Sequence, residues 1–245
     1  MARVLSLFCA ILFLNGCGEA VDRSPQPVIA ERYDAFWLWA GVKPQPVLAQ
    51  AKSIYILAGE VRADDPGRFR LLRPVTPVAP HAQLWLVVRV ETLDWTPQVQ
   101  GDILNLAEKW NRQGRTLAGV QIDFDSHTRN LKNYAAFLRT FRKDLPSRYQ
   151  LSITGLLDWS ANGDPSALSD LADIVDEVVL QTYQGRETIP GYERWLAKLD
   201  DLPMPFRLGL VQGGRWHEPE NLNKIPNFRG FVIFLVNSTS RQAPD

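Results

Sequence analysis

Three polar residues on one short apolar segment are the clearest sign of chemistry in this sequence. Polar and apolar side chains alternate there, in the order Gly119-Val120-Gln121-Ile122-Asp123-Phe124-Asp125. Successive side chains of a β-strand point to opposite faces, so a strand at this place would carry the polar set on one face. Two carboxylates on that face would lie about 6–7 Å apart. Polar residues in a row on one strand face are expensive to bury without partners, so this face is a candidate functional site.

Eight apolar runs of strand length recur along the chain, and helical patterns separate several of them. The predicted strands cover residues 36–40, 53–58, 84–90, 118–125, 150–156, 177–183, 206–211 and 231–236. Thr96-Pro97 and Asp164-Pro165 each predict a helix start, because an N-cap residue precedes a proline at the first helical position. Gly114 predicts the end of the first of these helices. Such alternation indicates a parallel sheet with helical crossovers.

The predicted fold class is α/β, a single (β/α)8 TIM-type barrel that is small and trimmed around the first two β/α units. No glycine-rich loop of the nucleotide-binding kind follows a strand, which favours the barrel. Only a short helix, near residues 46–52, fits between the first two strands, and residues 62–82 contain four prolines and should be irregular. Polar residues on a barrel strand face the lumen, so Asp125 should lie at the C-terminal rim, where barrel enzymes keep their active sites.

A structural explanation of the same polar residues stays open. Buried polar groups need partners, and Arg89 on the third strand could pair with Asp123. Asp125 could then cap the helix that follows.

The N-terminus predicts secretion and lipid attachment. Residues 1–16 combine Arg3 with an apolar run that is shorter than the ~20 residues of a membrane span. The segment Leu14-Asn15-Gly16-Cys17 resembles the bacterial lipobox, which implies a lipidated Cys17. Gly18 after this cysteine favours the outer membrane, so we expect a lipid-anchored, periplasm-facing protein of the cell envelope. The expected domains are a signal peptide at 1–16, a lipidated cysteine and flexible tether at 17–32, the barrel at 33–240 and a tail at 241–245.

Composition argues against several other classes of function. The formal net charge is zero, which gives no basic surface for a nucleic acid partner. Cys9 would leave with the signal peptide, so Cys17 would be the single cysteine of the mature chain and no disulfide could form. His81, His127 and His217 lack the spacing of metal ligands. We expect no metal and no cofactor, and no serine lies at the strand-to-helix elbow that a Ser-His-Asp triad of the hydrolase type needs.

The segment that ends in Asp125 resembles the fourth-strand signature D-G-x-D-x-D-x-E of family eighteen glycoside hydrolases, the chitinases. In that comparison Ala118 stands at the first Asp, Gly119 at the Gly, Gln121 at the second Asp, Asp123 at the third and Asp125 at the catalytic Glu. Further segments resemble the family in order and place. They are Gln181-Thr182-Tyr183-Gln184 against M-x-Y-D, Gly209 to Arg215 against the seventh-strand stretch ending Y-G-R, and Phe234 against the eighth-strand tryptophan. Between residues 33 and 237 the chain also resembles bacterial lipoproteins of unknown function related to these barrels.

The resemblance implies that Asp125 is the catalytic acid, that Asp123 orients the acetamido group of the substrate and that Tyr183 holds it. Aspartate is shorter than glutamate by one methylene, about 1.5 Å, and a misplacement of about 1 Å can cost roughly 100-fold in rate. Glu60, Glu91 or Asp158, each at or past a strand end, could therefore serve as the acid instead.

Residues at the predicted mouth are candidates for substrate binding. They are Gln121, Gln181, Glu60, Glu91, Asp158, Trp37, Trp39, Arg215 and Phe234. Trp95, Trp159 and Trp216 lie in predicted loops, where burial and sugar stacking are equally open, whereas Trp110 and Trp195 lie on apolar helix faces and should be core. Arg186 and Arg215 could bind a sugar carboxylate or phosphate, or form salt bridges at the rim.

Three functions are compatible with these residues. The first is a glycosidase that hydrolyses an N-acetylated polysaccharide or peptidoglycan-type glycan. The second is a barrel that binds such a glycan without cleaving it, and the third is a structural envelope protein with a degenerate pocket. The expected partners are a glycan and, through the lipid on Cys17, a membrane.

Overall fold

Eight parallel strands close into a barrel in the computed structural model, which describes residues 24–237 apart from 74, 75, 77, 78 and 80. Strands 1 to 8 in chain order are Ala35–Leu38, Ser53–Arg62, Gln83–Val90, Leu117–Asp123, Gln150–Leu156, Glu177–Gln181, Phe206–Val211 and Phe228–Phe234. Strand 1 pairs with both strand 2 and strand 8, which closes the ring. The predicted TIM-type barrel is therefore confirmed.

Helices cover only part of the outside of the barrel. The α-helices are α1 (Pro97–Arg112), α2 (Leu131–Asp144), α3 (Trp159–Asn162), α4 (Pro165–Ala172) and α5 (Glu193–Leu196). Short 3-10 helices cover Ala30–Arg32, Pro46–Gln50, Thr128–Asn130, Leu199–Asp201 and Leu222–Lys224. None of the helices in the described part of the chain is long and apolar enough to cross a membrane.

The predicted helix boundaries rest on the expected side chains. The Thr96 hydroxyl accepts a hydrogen bond from the Val99 amide at the start of α1, at 3.5 Å. The Asp164 carboxylate accepts one from the Ala167 amide at the start of α4, at 3.0 Å. Gly114 has a φ of 75° just past α1, a conformation that glycine adopts without strain.

The prediction of an irregular segment over residues 62–82 is wrong in its first half. Strand 2 continues to Arg62, and Asp65–Leu71 returns antiparallel to it as a hairpin. Gly59 permits this pairing, because a Cβ atom there would lie 2.4 Å from the Phe69 ring. The hairpin stands where a helix would follow strand 2, and the barrel is trimmed on this side as expected.

The N-terminal segment also differs from the prediction, since the flexible tether does not extend to residue 32. Gln26–Pro27 pairs antiparallel with Arg215–Trp216, and both Val28 and Ala30 are buried. Tyr33 packs against Phe231 on the outside of strand 8, with 5.5 Å between the ring centroids. This segment shields apolar surface from water, so the folded unit begins near residue 26 rather than 33. Cys17, the signal segment and the tail lie outside the described residues.

Two apolar clusters form the core. The larger one lies between the barrel and the elements around it, and the smaller one fills the lumen with Ala35, Trp37, Tyr55, Leu57, Trp85, Val87, Val179 and Val232. Gly209 makes room for one of the two lumen tryptophans, because a Cβ atom at this position would lie 2.5 Å from the Trp37 ring.

A chain of hydrogen bonds crosses the lumen beneath the mouth. The Trp37 indole donates to Gln121 at 2.7 Å, and the Gln121 amide donates to Ser152 at 2.9 Å. Ser152 in turn donates to Glu177 at 3.0 Å. Glu177 also accepts from the Tyr55 hydroxyl and the Arg207 guanidinium, at 2.6 and 3.0 Å. Buried polar atoms are thus paired with one another, which rigidifies the lumen.

Candidate functional site

Strand 4 places its carboxylates as the alternation predicts. Val120 and Ile122 pack in the outer cluster, whereas Gln121 and Asp123 face the lumen. The strand ends at Asp123, and Asp125 lies exposed in the loop that follows. In the elements described after this loop, neither the turn Thr128–Asn130 nor α2 has a side-chain cap, so Asp125 does not fill the capping role considered for it.

Asp123 is a buried carboxyl with an altered proton affinity. Burial raises its pKa to about 6, the Thr154 hydrogen bond and Arg89 oppose this rise, and the charge of Asp125 adds to it. The Thr154 hydroxyl donates to the carboxylate at 2.9 Å. Arg89 is exposed and, among the described residues, forms no ion pair with Asp123, so the structural pairing considered for it is not present. A carboxyl that exchanges its proton near neutral pH is typical of functional sites.

Asp125 opens onto a cleft of about 770 Å³ at the C-terminal mouth. Its walls come from the chain at and after the ends of strands 4, 5 and 6. The loops contribute Asp125 and Asp158, the end of strand 6 and the residues after it contribute Gln181 and Tyr183, and α5 contributes Arg194 and Trp195. The cleft volume falls in the range of small-molecule sites, ~300–1,000 Å³. Asp158 contributes one buried carboxylate oxygen that has no hydrogen-bond partner among the described residues.

Four aromatic rings line the mouth beside this cleft, and we call them the aromatic cluster: Trp37, Trp39, Tyr183 and Phe234. Tyr183 stacks on Phe234 with 5.4 Å between centroids, and Trp39 meets Phe234 edge to face at 5.3 Å. Trp37 lies buried beneath, whereas the other three rings are half-buried. Burial and then the charges of Asp123 and Asp125 raise the pKa of the Tyr183 hydroxyl well above its usual value. It therefore remains a hydrogen-bond donor.

The structure brings only part of the predicted site together. Asp125, Tyr183, Gln181 and Asp158 share the cleft, and Asp123 lies below it. Gln121 does not reach the cleft, because it is fully buried in the lumen. Trp37 is likewise buried and supports the other rings rather than offering a free face.

Three other predicted residues lie outside the cleft. Glu60 forms an ion pair with Arg70 at 3.3 Å, and Glu91 accepts a hydrogen bond from the Ala63 amide at 3.2 Å. Both carboxylates are therefore paired with the hairpin after strand 2, an element that the sequence pattern did not predict. Arg215 belongs to the short strand that pairs with the N-terminal segment.

The structure shows which of the remaining tryptophans pack in the interior and which one lines the cleft. Trp159 and Trp216 are buried, and Trp95 packs against Phe137 at 4.7 Å, so these three are packing residues. Trp195 packs against the outer cluster as expected, but its ring is only half-buried and also lines the cleft. Arg194 lies over its face at 4.7 Å. Helix α5 is only four residues long, too short to bury a full apolar face.

Metal binding finds no support in residues 24–73, 76, 79 and 81–237. No group of three or more His, Cys, Asp or Glu side chains comes together there.

Comparison with known proteins gives a partial family match and a clear fold. Residues 83–195, from strand 3 through most of α5, match the family model "Domain of unknown function (DUF3142)". A chitinase from Bacteroides thetaiotaomicron shares the fold with a TM-score of 0.52 and 12% identity, over 72% of this chain and 66% of that one. A xylanase-α-amylase inhibitor protein, solved in complex with trehalose, has a TM-score of 0.50 and 11% identity, over 82% and 92% of the two chains.

The spore cortex-lytic enzyme SleL of Bacillus cereus is longer than this chain. It matches at 18% identity with a TM-score of 0.46, over 73% of this chain, which spans half of the enzyme's length. No curated protein sequence matches. The fold is that of a chitinase-like barrel, and at these identities the comparison speaks for the fold alone.

Proposed function

We propose that the barrel binds an N-acetylated glycan at its C-terminal mouth. The observation that carries this proposal is that the exposed Asp125 carboxylate opens onto the 770 Å³ cleft beside Tyr183. Sugar rings present hydroxyl groups at their edges and apolar C–H faces, and the cleft offers partners for both. Asp125, Asp158 and Gln181 supply polar atoms, while Tyr183 and Trp195 supply aromatic surface.

Hydrolysis of the glycan is a second candidate, favoured by the raised pKa of the Asp123 carboxyl below the cleft. In this mechanism the Asp125 carboxyl donates its proton to the glycosidic oxygen, and the bond from that oxygen to the anomeric carbon breaks. The acetamido oxygen of the substrate forms the new bond to the anomeric carbon, and water later opens this intermediate. Asp123 and Tyr183 would hold the acetamido group by hydrogen bonds, for which a carboxyl with a pKa of about 6 is suited.

The aspartate at position 125 argues for binding ahead of catalysis. Its carboxyl ends about 1.5 Å short of the place a glutamate would reach, and such a misplacement can cost on the order of 100-fold in rate. A xylanase-α-amylase inhibitor protein that was solved with trehalose has this fold, which supports a binding role for such a barrel.

Binding and turnover can be separated with one pair of proteins. Calorimetry with N-acetylglucosamine oligomers measures binding, and product analysis on the same oligomers and on cell-wall digests measures turnover. Turnover that is lost in Asp125→Asn supports the hydrolase. Binding without turnover in the natural sequence supports the lectin-like function. If the protein shows no binding and no turnover, the proposal is contradicted and only the structural role is left.

We also propose that the protein is a lipid-anchored, periplasm-facing component of the cell envelope, held by a lipid on Cys17. The lipobox-like segment at residues 14–17 supports this location. Metabolic labelling with a fatty acid tests it, with Cys17→Ser as the control. Labelling that persists in the serine variant would contradict the anchor, and fractionation of the two membranes tests the outer-membrane location.

A further inference from the structure

A second depression lies at the C-terminal ends of strands 1, 7 and 8, close in sequence to Trp39 and Phe234 of the aromatic cluster. Its volume is about 570 Å³, and its walls include Lys43, Gln45, Gln212 and Asn237. These residues follow strands 1, 7 and 8, whereas the Asp125 cleft is built after strands 4, 5 and 6. In a ring of eight strands these two groups face each other across the mouth. We call this second depression the amide crevice.

The loop that separates the aromatic cluster from the amide crevice is held from two sides. The Arg73 guanidinium donates to the carbonyl oxygens of Trp39 and Val42, at 2.8 and 3.2 Å. From the other side, Asn237 donates to the Gly41 carbonyl at 2.9 Å and accepts from the Lys43 amide at 3.0 Å. Trp39 therefore stands on a fixed backbone.

The floor of the amide crevice is also fixed before any ligand arrives. The Gln45 and Gln212 side-chain amides donate to each other, at 3.0 and 2.9 Å. Gln45 donates in addition to the Val236 carbonyl, and the Val236 amide donates to Gln212. An amide nitrogen carries two N–H groups, so Gln212 retains a donor, and the exposed Lys43 lines the same crevice.

We infer that the amide crevice is a second sugar subsite and that the ligand is an oligosaccharide long enough to span the aromatic cluster. This inference rests on the proposed function and extends it from a single cleft to an elongated site. A preorganised surface of amides and one ammonium recognises the neutral hydroxyl and acetamido groups of a sugar. Arg73 is a positioning residue, because it acts through the Trp39 loop rather than on the ligand, whereas Asn237 both holds this loop and lines the crevice.

Chain length is the variable that tests the elongated site. We would titrate the full-length protein with N-acetylglucosamine oligomers from two to six units by calorimetry. The hexasaccharide should bind at least about tenfold more tightly than the disaccharide, because it gains hydrogen bonds and buried surface in the amide crevice. Lys43→Ala removes an exposed side chain and should preserve the fold. It should reduce this ratio to about threefold or less and leave disaccharide affinity unchanged.

Asn237→Ala tests with the same ratio the contribution of a residue that both holds the Trp39 loop and lines the crevice. Loss of both bonds to the loop should lower hexasaccharide affinity several-fold, with the melting temperature as a check on the fold. Lys109→Ala, an exposed lysine in the last turn of α1 at the opposite end of the barrel, is the matched control and should change nothing.

The outcomes separate the subsite from the proposed function. Binding that is independent of length, or a ratio that Lys43→Ala leaves intact, overturns the second subsite while glycan binding stands. Absence of binding at every length overturns both.

Discussion

Replacing Asp123 by asparagine should stabilise the protein at high pH and leave its stability nearly unchanged at low pH. The pKa of this carboxyl rises from 3.8 to about 6 on folding. Each unit by which the pKa rises corresponds to about 1.4 kcal/mol, so ionisation of Asp123 lowers the stability of the folded state by about 3 kcal/mol at high pH. The asparagine side chain carries no charge, and its amide oxygen can still accept the hydrogen bond from Thr154.

The direction follows from the sign of the pKa change. A carboxyl whose folded-state pKa is raised favours folding below its unfolded pKa, and this contribution is lost as the pH rises through about 6. The advantage of Asp123→Asn over the natural sequence should therefore appear between pH 4 and 6 and level off at about 3 kcal/mol by pH 8. At pH 3.5 the two proteins should differ little, because Asp123 is protonated in both states.

Urea unfolding followed by tryptophan fluorescence, at pH 3.5 and pH 8, measures the effect. Asp173→Asn is the control, because this carboxylate is exposed and does not contribute to the raised pKa of Asp123, so its replacement should change stability by less than about 0.5 kcal/mol at either pH. An equal gain at both pH values, or a loss of stability at pH 8, would refute the assignment of Asp123 as a buried carboxyl that ionises at a cost.

Three further predictions concern the lumen. Gly209→Ala should lower stability by about 1–3 kcal/mol, because its methyl group would lie 2.5 Å from the Trp37 ring; an unchanged melting temperature would contradict this packing. Glu177→Ala should cost about 3 kcal/mol in urea unfolding, because it leaves Arg207 without its carboxylate, and a neutral result would argue against the lumen network. Trp37→Phe should lower stability by about 1–3 kcal/mol, because the buried side-chain oxygen of Gln121 loses the indole N–H that donates to it. Differential scanning calorimetry that shows no loss of stability would point to a different partner for Gln121.

The parts of the fold that follow local rules could be predicted. Strands 5 and 7 match their predicted bounds, since each is an apolar run enclosed by polar residues and turns. The starts of α1 and α4 were recognisable because an N-cap side chain and a proline act within one turn. The faces of strand 4 followed from the twofold period of a strand, which no distant contact can alter.

The parts of the fold that depend on distant contacts could not be predicted from the sequence. Residues 65–71 contain Pro66 and Gly67, which favour a loop, and the pairing with strand 2 that makes them a strand is a tertiary feature. Val28 and Ala30 lie in a polar, proline-containing stretch, and their burial requires the outer surface of the barrel.

The candidate site divides in the same way. Asp123, Asp125 and Tyr183 were identified from spacing and resemblance. The amphipathic pattern around Trp195 predicts a longer helix than α5, and with it a fully buried ring. Arg73 and Asn237 carried no signal at all, since their role depends on the loop between them.

A crystal structure of the protein with a bound N-acetylglucosamine oligomer tests the central claim most directly. The account predicts a sugar ring in the cleft after strands 4 to 6, with the Asp125 carboxylate and the Tyr183 hydroxyl within hydrogen-bond distance of it. A ligand seated on another face of the barrel, with the Asp125 cleft empty at saturating concentration, would contradict it.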